Sequence, residues 1–304
     1  MSFSPSDNQF AVCVNTVAGT TDATPTMLIF PHEESNNINY TSNWLDSPNV
    51  KPNRGSAGGK NTSFSTTGSL SCHLSRNDAV DVLLASGFSG TWEADELKGG
   101  ATDTALTIEK RMGVSGARRY HRVAGSQVSK VNFNAKASAN CMVSFDSVGM
   151  NFESGSAGIT GATYPPIAQT NVLAGPDCAV TIAGQTLDYI GFSLDVEFDR
   201  SAQFKLNSNA ARGIGTAGYR KVSGEIEFFM PTTDYYAALL DPNGLNLQIQ
   251  MGAGANGYLI IVPAAQFKVP EDSADGSAMI VKAQFSGANT VADGTNIILN
   301  RLAA

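Results

Sequence analysis

Three histidines, four cysteines and two glycine-rich strings have the best claim to chemistry in this 304-residue chain, and their spacing argues against it. His32, His73 and His121 form no HxH or HExxH arrangement and no cluster with cysteine, so no zinc-type ligand set is expected. Cys13, Cys72, Cys141 and Cys178 lie far apart without a CxxC pair, which reads as reduced, packed thiols more than as a disulfide framework. No GxSxG elbow occurs. GIGTAG (213–218) and GAGANG (252–257) have the GxGxxG spacing. A dinucleotide site, however, needs a strand before the glycines and a helix after them. The first string runs into the strand-like YRKVSGEIEFF, and the second joins two strands as a hairpin turn. In GSAGGKNTS, Arg54 stands where a phosphate-binding loop needs its first glycine. No cofactor, metal or catalytic residue is therefore assigned, and an enzyme is the least supported class.

Charge is more informative. The formal charge is 20 − 27 = −7, a poor balance for gripping nucleic-acid phosphate but compatible with a surface that DNA passes without sticking. In FSLDVEFD (192–199), Phe192, Leu194, Val196 and Phe198 point one way and Ser193, Asp195, Glu197 and Asp199 the other. SGEIEFF adds Glu225 and Glu227 to the polar face of a strand that can lie nearby. Like charges opposed in a sheet cost stability. Either water and lysines solvate that face, or an acidic surface is kept for a reason. The complement is EKRMGVSGARRYHR (109–122), where Lys110, Arg111, Arg118, Arg119 and Arg122 crowd one strand–loop–strand unit. It reads as a solvated hairpin tip or as a docking surface for an acidic neighbour, including another copy of the chain.

The elements that must position these residues are mostly strands. With 42% hydrophobic and 15% charged residues, 30 glycines and long Ser/Thr/Asn/Ala/Gly stretches, the composition is β-rich. Residues 1–60 read as a long polar arm or loop system with one or two strands, FAVCV and TMLIF, the alternative being a disordered tail. TGSLSCHLS is a strand with Leu70, Cys72 and Leu74 on one face, and RNDAVDVLLASG is a short helix. Asn77 or Asp78 caps that helix, Val80, Leu83 and Leu84 form its apolar stripe, and Gly87 can close it. TALTIEKRM, RYHRVAGSQVSKVNFNAKA and NCMVSFDSVGM follow as strands. A second polar stretch, 151–185, carries Pro165–Pro166 as a linker signal. Beyond it FSLDVEFD, RKVSGEIEFFM, LNLQIQM, YLIIVPAAQFKV and SAMIVKAQF read as strands, and PTTDYYAALLDPNG as a second short helix. MSFSPSDNQF has no basic region or apolar run, so no signal peptide is expected, and no window approaches about 18 apolar residues.

The chain also repeats itself. Residues 67–87 lie over 223–243 without a gap at an offset of 156, with Gly68 on Gly224, Asp78 on Asp234, Leu83 on Leu239 and Leu84 on Leu240. LTIEK (106–110) then matches LQIQM (247–251), VAGSQV (123–128) matches VPAAQF (262–267), and VSF (143–145) matches AQF (283–285). Four matches in one order predict two copies of one domain, residues 1–156 and 157–304, near the usual size of about 150 residues.

LKGGATDTALTIEKRM followed by RYHRVAGSQVSKVNFNAKASANCMVSFDSVGM, and FSLDVEFDRSAQF with GYRKVSGEIEFFMPTTDYYAALL in the second half, resemble the tail tube proteins of long-tailed, non-contractile bacteriophages over about 62–290. The resemblance implies a mainly β fold of two tandem tube-type β-sandwich domains, each with a short flanking helix. It implies rings that stack into a tube conducting DNA during genome ejection, in a virion assembled in the bacterial host cytoplasm. It further implies partners within the tail: other copies of the chain, a tape measure inside the tube, and terminator and distal tail proteins. DNA would be only a transient occupant, and no membrane is involved. Sixfold rings in that family and a doubled chain here would give three chains per ring. Asp195, Glu197, Asp199, Glu225 and Glu227 are the candidates for the bore, and the basic hairpin for contact between rings. Because Ser69 and Ser71 stand where the second copy has Glu225 and Glu227, bore charge should alternate around the ring. A tail terminator or adaptor ring is the nearest alternative. A β-sandwich adhesin or carbohydrate-binding module is a more distant one, for which only Trp44, Trp92 and the Tyr235–Tyr236 pair offer aromatic surface.

Overall fold

The computed structural model describes residues 4–49, 52, 55–114, 118–167, 171–231, 239–275 and 278–303. The strands of the N-terminal half are β1 (Gln9–Val14), β2 (Leu28–Phe30), β3 (Asn37–Asp46), β4 (Gly59–His73), β5 (Trp92–Glu93), β6 (Glu96–Lys98), β7 (Leu106–Met112), β8 (Arg119–Lys136), β9 (Met142–Gly149) and β10 (Asn151–Gly155), with helix α1 (Asp78–Phe88) between β4 and β5. The C-terminal half contributes β11 (Cys178–Ile182), β12 (Gln185–Thr186), β13 (Tyr189–Gln203), β14 (Gly213–Phe229), β15 (Leu245–Met251), β16 (Tyr258–Phe267), β17 (Glu271–Asp275), β18 (Ala278–Ala288) and β19 (Ile298–Arg301). The helix expected over 231–244 falls largely on residues 232–238, outside the described residues, as do Tyr235 and Tyr236.

The two halves pair their strands in the same order. In the first, β3 pairs with β4, β4 with β9, β9 with β8, β8 with β7 and β7 with β1. In the second, β13 pairs with β14, β14 with β18, β18 with β16, β16 with β15 and β15 with β11. The 18-residue β8 pairs outward with β10 near its start. Its counterpart in the second half is broken into β16, which pairs with β19, and β17, which pairs with β18. The elements that matched in sequence, 106–110 with 247–251 and 123–128 with 262–267, hold the same places in both ladders.

The halves meet along a backbone seam. Residues 130–136 of β8 pair antiparallel with 191–197 of β13, with Phe133 opposite Leu194 and Val131 opposite Val196. One eight-stranded sheet therefore runs β3-β4-β9-β8-β13-β14-β18-β17 across the chain. Its inner face carries Leu70, Phe145, Val131, Phe133, Leu194, Val196, Ile226, Ala283 and Phe285, all buried, and a single apolar cluster spans both halves. The period-2 pattern of these strands gives each one face to bury and one to leave wet.

Several local expectations are sharpened. Asn77 is the N-cap of α1, its side chain accepting from the Ala79 N–H at 2.8 Å, and Val80, Leu83 and Leu84 are buried. Gly87 does not close the helix. Ser89 does, in the left-handed region at φ 49°. Gly87 lies in the last turn, two residues before that cap, where a Cβ would stand 2.2 Å from Val131 Cγ2, so it lets the helix approach β8. Residues 1–60 hold three complete strands, and β1 is buried between β2 and β7. The run FAVCV reads as a minor piece because its partners are distant in sequence. GIGTAG lies within β14, while GAGANG does connect β15 to β16.

The aligned pair Gly68 and Gly224 is equivalent in sequence but not in surroundings. A Cβ on Gly224 would lie 2.3 Å from the Ser193 carbonyl oxygen, a backbone atom of the neighbouring strand. On Gly68 its one close contact would be the Ser147 hydroxyl, at 2.7 Å, which can rotate away, with the Asn37 carbonyl oxygen at an ordinary 3.9 Å. Gly224→Ala is therefore expected to cost about 1–3 kcal/mol, and Gly68→Ala less than about 1 kcal/mol. Equal losses in denaturant unfolding would refute the distinction.

Candidate functional site

The outer face of the eight-stranded sheet collects polar residues into rows that follow the cross-strand register. One row runs Ser69, Asp146, Lys130, Glu197, Lys221. The next runs Ser71, Ser144, Asn132, Asp195, Ser223, Ser286. A third runs Asn134, Ser193, Glu225, Gln284, and a fourth Lys136, Gly191, Glu227, Lys282, Glu271. Asp195, Glu197, Glu225 and Glu227 thus share one face. Asp199 lies on the same side of β13 beyond an irregularity in the ladder, with an exposed side chain. Ser69 and Ser71 share the face with Glu225 and Glu227, as their alignment requires.

These carboxylates do not oppose one another across strands; polar or basic residues stand between them. Lys130 Nζ reaches Glu197 at 2.7 Å and Asp195 at 3.2 Å, and Asn132 donates to Asp195 at 2.8 Å. Lys282 Nζ reaches Glu227 at 2.7 Å, and Gln284 donates to Glu225 at 3.1 Å. The hydrogen bond to Glu197 raises the Lys130 ammonium above its ordinary value, and that to Glu227 does the same for Lys282. Interleaving lysines removes the like-charge penalty that the sequence pattern alone suggests.

The basic set divides by strand parity. Arg111 and Arg122 lie on the same side of the hairpin as Glu109, whose side chain is 0% exposed, and Arg122 pairs with it. Arg122 Nε donates to Glu109 Oε2 at 2.5 Å, and the Tyr164 hydroxyl donates to Oε1 at 2.8 Å. The Arg111 guanidinium lies over the Tyr164 ring at 4.0 Å and donates to Gln9. Arg122 also donates to the Ala157 carbonyl, so residues of the 151–185 stretch close over this ion cluster. Burial, then the Glu109 carboxylate, push the Tyr164 hydroxyl well up. Lys110 faces the other way, donating to Asn37 at 3.1 Å, and burial lowers its ammonium. Arg119 is exposed and Arg118 half-buried at the hairpin, whose tip, 115–117, lies outside the described residues. Two of the five basic residues are thus committed to an internal ion cluster, because their parity on β7 and β8 points them under the linker.

Unpaired edges are expected of an open β-sandwich, but which strands form them is a feature that sequence reading missed. Among the described residues β3 pairs only with β4, and β17 only with β18. β3 is ten residues long, nearly all exposed, and presents Tyr40, Trp44 and Leu45 to solvent. A long exposed edge strand is a template for pairing with another chain. The only sequence signal for it was a polar run with scattered aromatics, which reads equally well as loop.

No group of three or more His, Cys, Asp or Glu among the described residues could hold a metal ion. No described helix is long and apolar enough to cross a membrane. Compared with known proteins, residues 5–290 match the family model described as phage tail tube protein. No curated protein matches the chain.

Proposed function

Because the chain belongs to the phage tail tube protein family, we propose that three copies close a ring by pairing sheet edges, with the polar face turned to a bore that conducts DNA. The protein is a structural subunit of the tail tube and a component of the virion. The observation that carries the ring is the seam. Within one chain, the edge of the first half (130–136) pairs with the edge of the second (191–197). The counterparts of those two edges are β17 and β3, each of which pairs with another strand on one side only among the described residues. Residues 1–156 and 157–304 then act as two tube-type domains, and the seam repeats between chains as β17 against β3 of the next copy. An interface of this head-to-tail kind either closes into a ring or runs on as a filament.

Strand count favours three chains. Each chain offers eight strands, so three offer 24. At about 4.8 Å per strand, 24 strands make a backbone circle about 37 Å across if they run along the bore and about 48 Å across at a tilt of about 40°, and inward side chains leave roughly 25–36 Å. That passes a duplex roughly 20 Å wide. Two chains would leave about 12–20 Å, without clearance for a duplex, and six about 60–85 Å on the same reckoning. The interleaved acids and lysines on the polar face suit this role, since a bore without a continuous basic track gives phosphates nothing to grip. Arg118 and Arg119 remain the basic groups suited to contact between rings.

The seam also sets a register. Carried through the Gly224–Gly68 and 283–143 equivalences, it puts Asn37 of one chain opposite Glu271 of the next. A chain carrying Asn37→Cys and Glu271→Cys, assembled and then oxidised, is expected to give a covalent ladder that ends at three chains. Each single variant should give no ladder. A ladder running to six, or tubes that form without any cross-link, would overturn the three-chain edge-paired ring.

A further inference from the structure

Cys141 and Cys178 belong to different halves of the chain and are 37 positions apart in sequence, yet their Sγ atoms are 3.2 Å apart. The surrounding backbone holds them there. The Cys141 N–H donates to the Leu173 carbonyl, the Gly175 N–H to Ala139, and Asn140 bridges Ala174. The Gly175–Asp177 turn then delivers Cys178 to the start of β11. Gly175 permits this approach, since a Cβ there would stand 2.3 Å from the Lys136 carbonyl oxygen. Cys141 is buried, whereas Cys178 is half-buried and lines a cleft with Lys136, Pro176, Tyr189 and Phe229.

We propose that Cys141 and Cys178 are a latent disulfide site that staples the connection between the two halves when the protein meets a low-molecular-weight disulfide. Cys178, the thiol bordering the cleft, attacks the small disulfide. A mixed disulfide forms on Cys178, and one small thiol leaves with the proton. Cys141 then attacks Cys178 Sγ, the protein S–S bond forms, and the second small thiol leaves with the second proton. The protein loses two hydrogens, and the small disulfide is reduced to two thiols. Closing the sulfurs from 3.2 Å to a bond of about 2.0 Å needs only small side-chain adjustment. The same contact raises the Cys178 thiol above its ordinary value, so the first attack is the slow step; the second is intramolecular, between sulfurs already held in contact. Cys13 and Cys72 are internal controls: both are buried, and burial pushes their thiols up to about 11 and about 12.

The test treats the folded chain with oxidised glutathione, traps free thiols by alkylation after unfolding, and maps cysteines by mass spectrometry. The expected product lacks two hydrogens and yields one peptide pair joining 141 to 178, while Cys13 and Cys72 are recovered alkylated. In Cys141→Ser, glutathione should remain on Cys178. The oxidised wild type should melt at a higher temperature than the reduced protein, a difference absent from Cys178→Ser. Recovery of both Cys141 and Cys178 as alkylated thiols, or a persistent mixed disulfide in the wild type, would overturn the proposal.

Discussion

Arg200→Met is expected to lower stability by about 2–4 kcal/mol, because it orphans carbonyls and removes a buried charge at the contact between the two halves. Arg200 extends from β13 with its side chain 0% exposed. It donates to the Val128 carbonyl at 2.5 Å, to the Ser86 carbonyl at 3.2 Å and to the Ser89 hydroxyl at 2.5 Å. Ser86 and Ser89 form the C-terminal end of α1, which has no basic residue in its last turn. The second half thus supplies the cation that the first half's helix dipole lacks. Asp103 accepts from Arg200 at 2.8 Å but is 42% exposed, so it adds little beyond orientation. Arg200→Lys keeps the charge without the planar fork and should recover only part of the loss. Denaturant unfolding of the three proteins measures this, and a loss under about 1 kcal/mol for the Met variant would refute it.

Glu109→Gln is expected to cost about 3–4 kcal/mol, because it removes the buried charge that compensates Arg122, whose side chain is only 11% exposed. Glu109 is wholly buried and is the common acceptor for Arg122 and Tyr164. Removing the whole pair should be milder than removing half of it: Glu109→Gln combined with Arg122→Met should be more stable than Glu109→Gln alone. A double-mutant cycle reads this coupling directly. Additive losses would show that Arg122 gains nothing from Glu109.

Both residues show where a sequence is legible and where it is not. Alternation in FSLDVEFD orients β13 correctly, and continuing the same parity two steps past Phe198 puts Arg200 on the buried side. The signal was present, but the strand reading from FSLDVEFD stops at Asp199, one residue short of it. Glu109 and Arg111 are hidden for another reason. β7 is covered on both faces, so LTIEKRM offers no single wet face for alternation to reveal. The α1 stripe was legible because helical spacing is local. β17 was not, because EDSAD resembles a turn and becomes a strand only by pairing with β18. The acidic strands were found correctly, but Lys130 and Lys282 reach them from strands whose adjacency depends on long-range topology.

The seam between β8 and β13 sets how the amount of ring at equilibrium depends on concentration. In the proposed three-chain ring, half of the six edge pairings are already made when a single chain folds. Their loop-closure cost is met intramolecularly, at an effective concentration set by the linker and not by the amount of protein present. Ring formation then depends on about the third power of subunit concentration, where six single-domain subunits would give about the sixth. A doubled subunit can therefore begin assembly from a far more dilute pool, and its rings lose integrity in steps of two domains at a time.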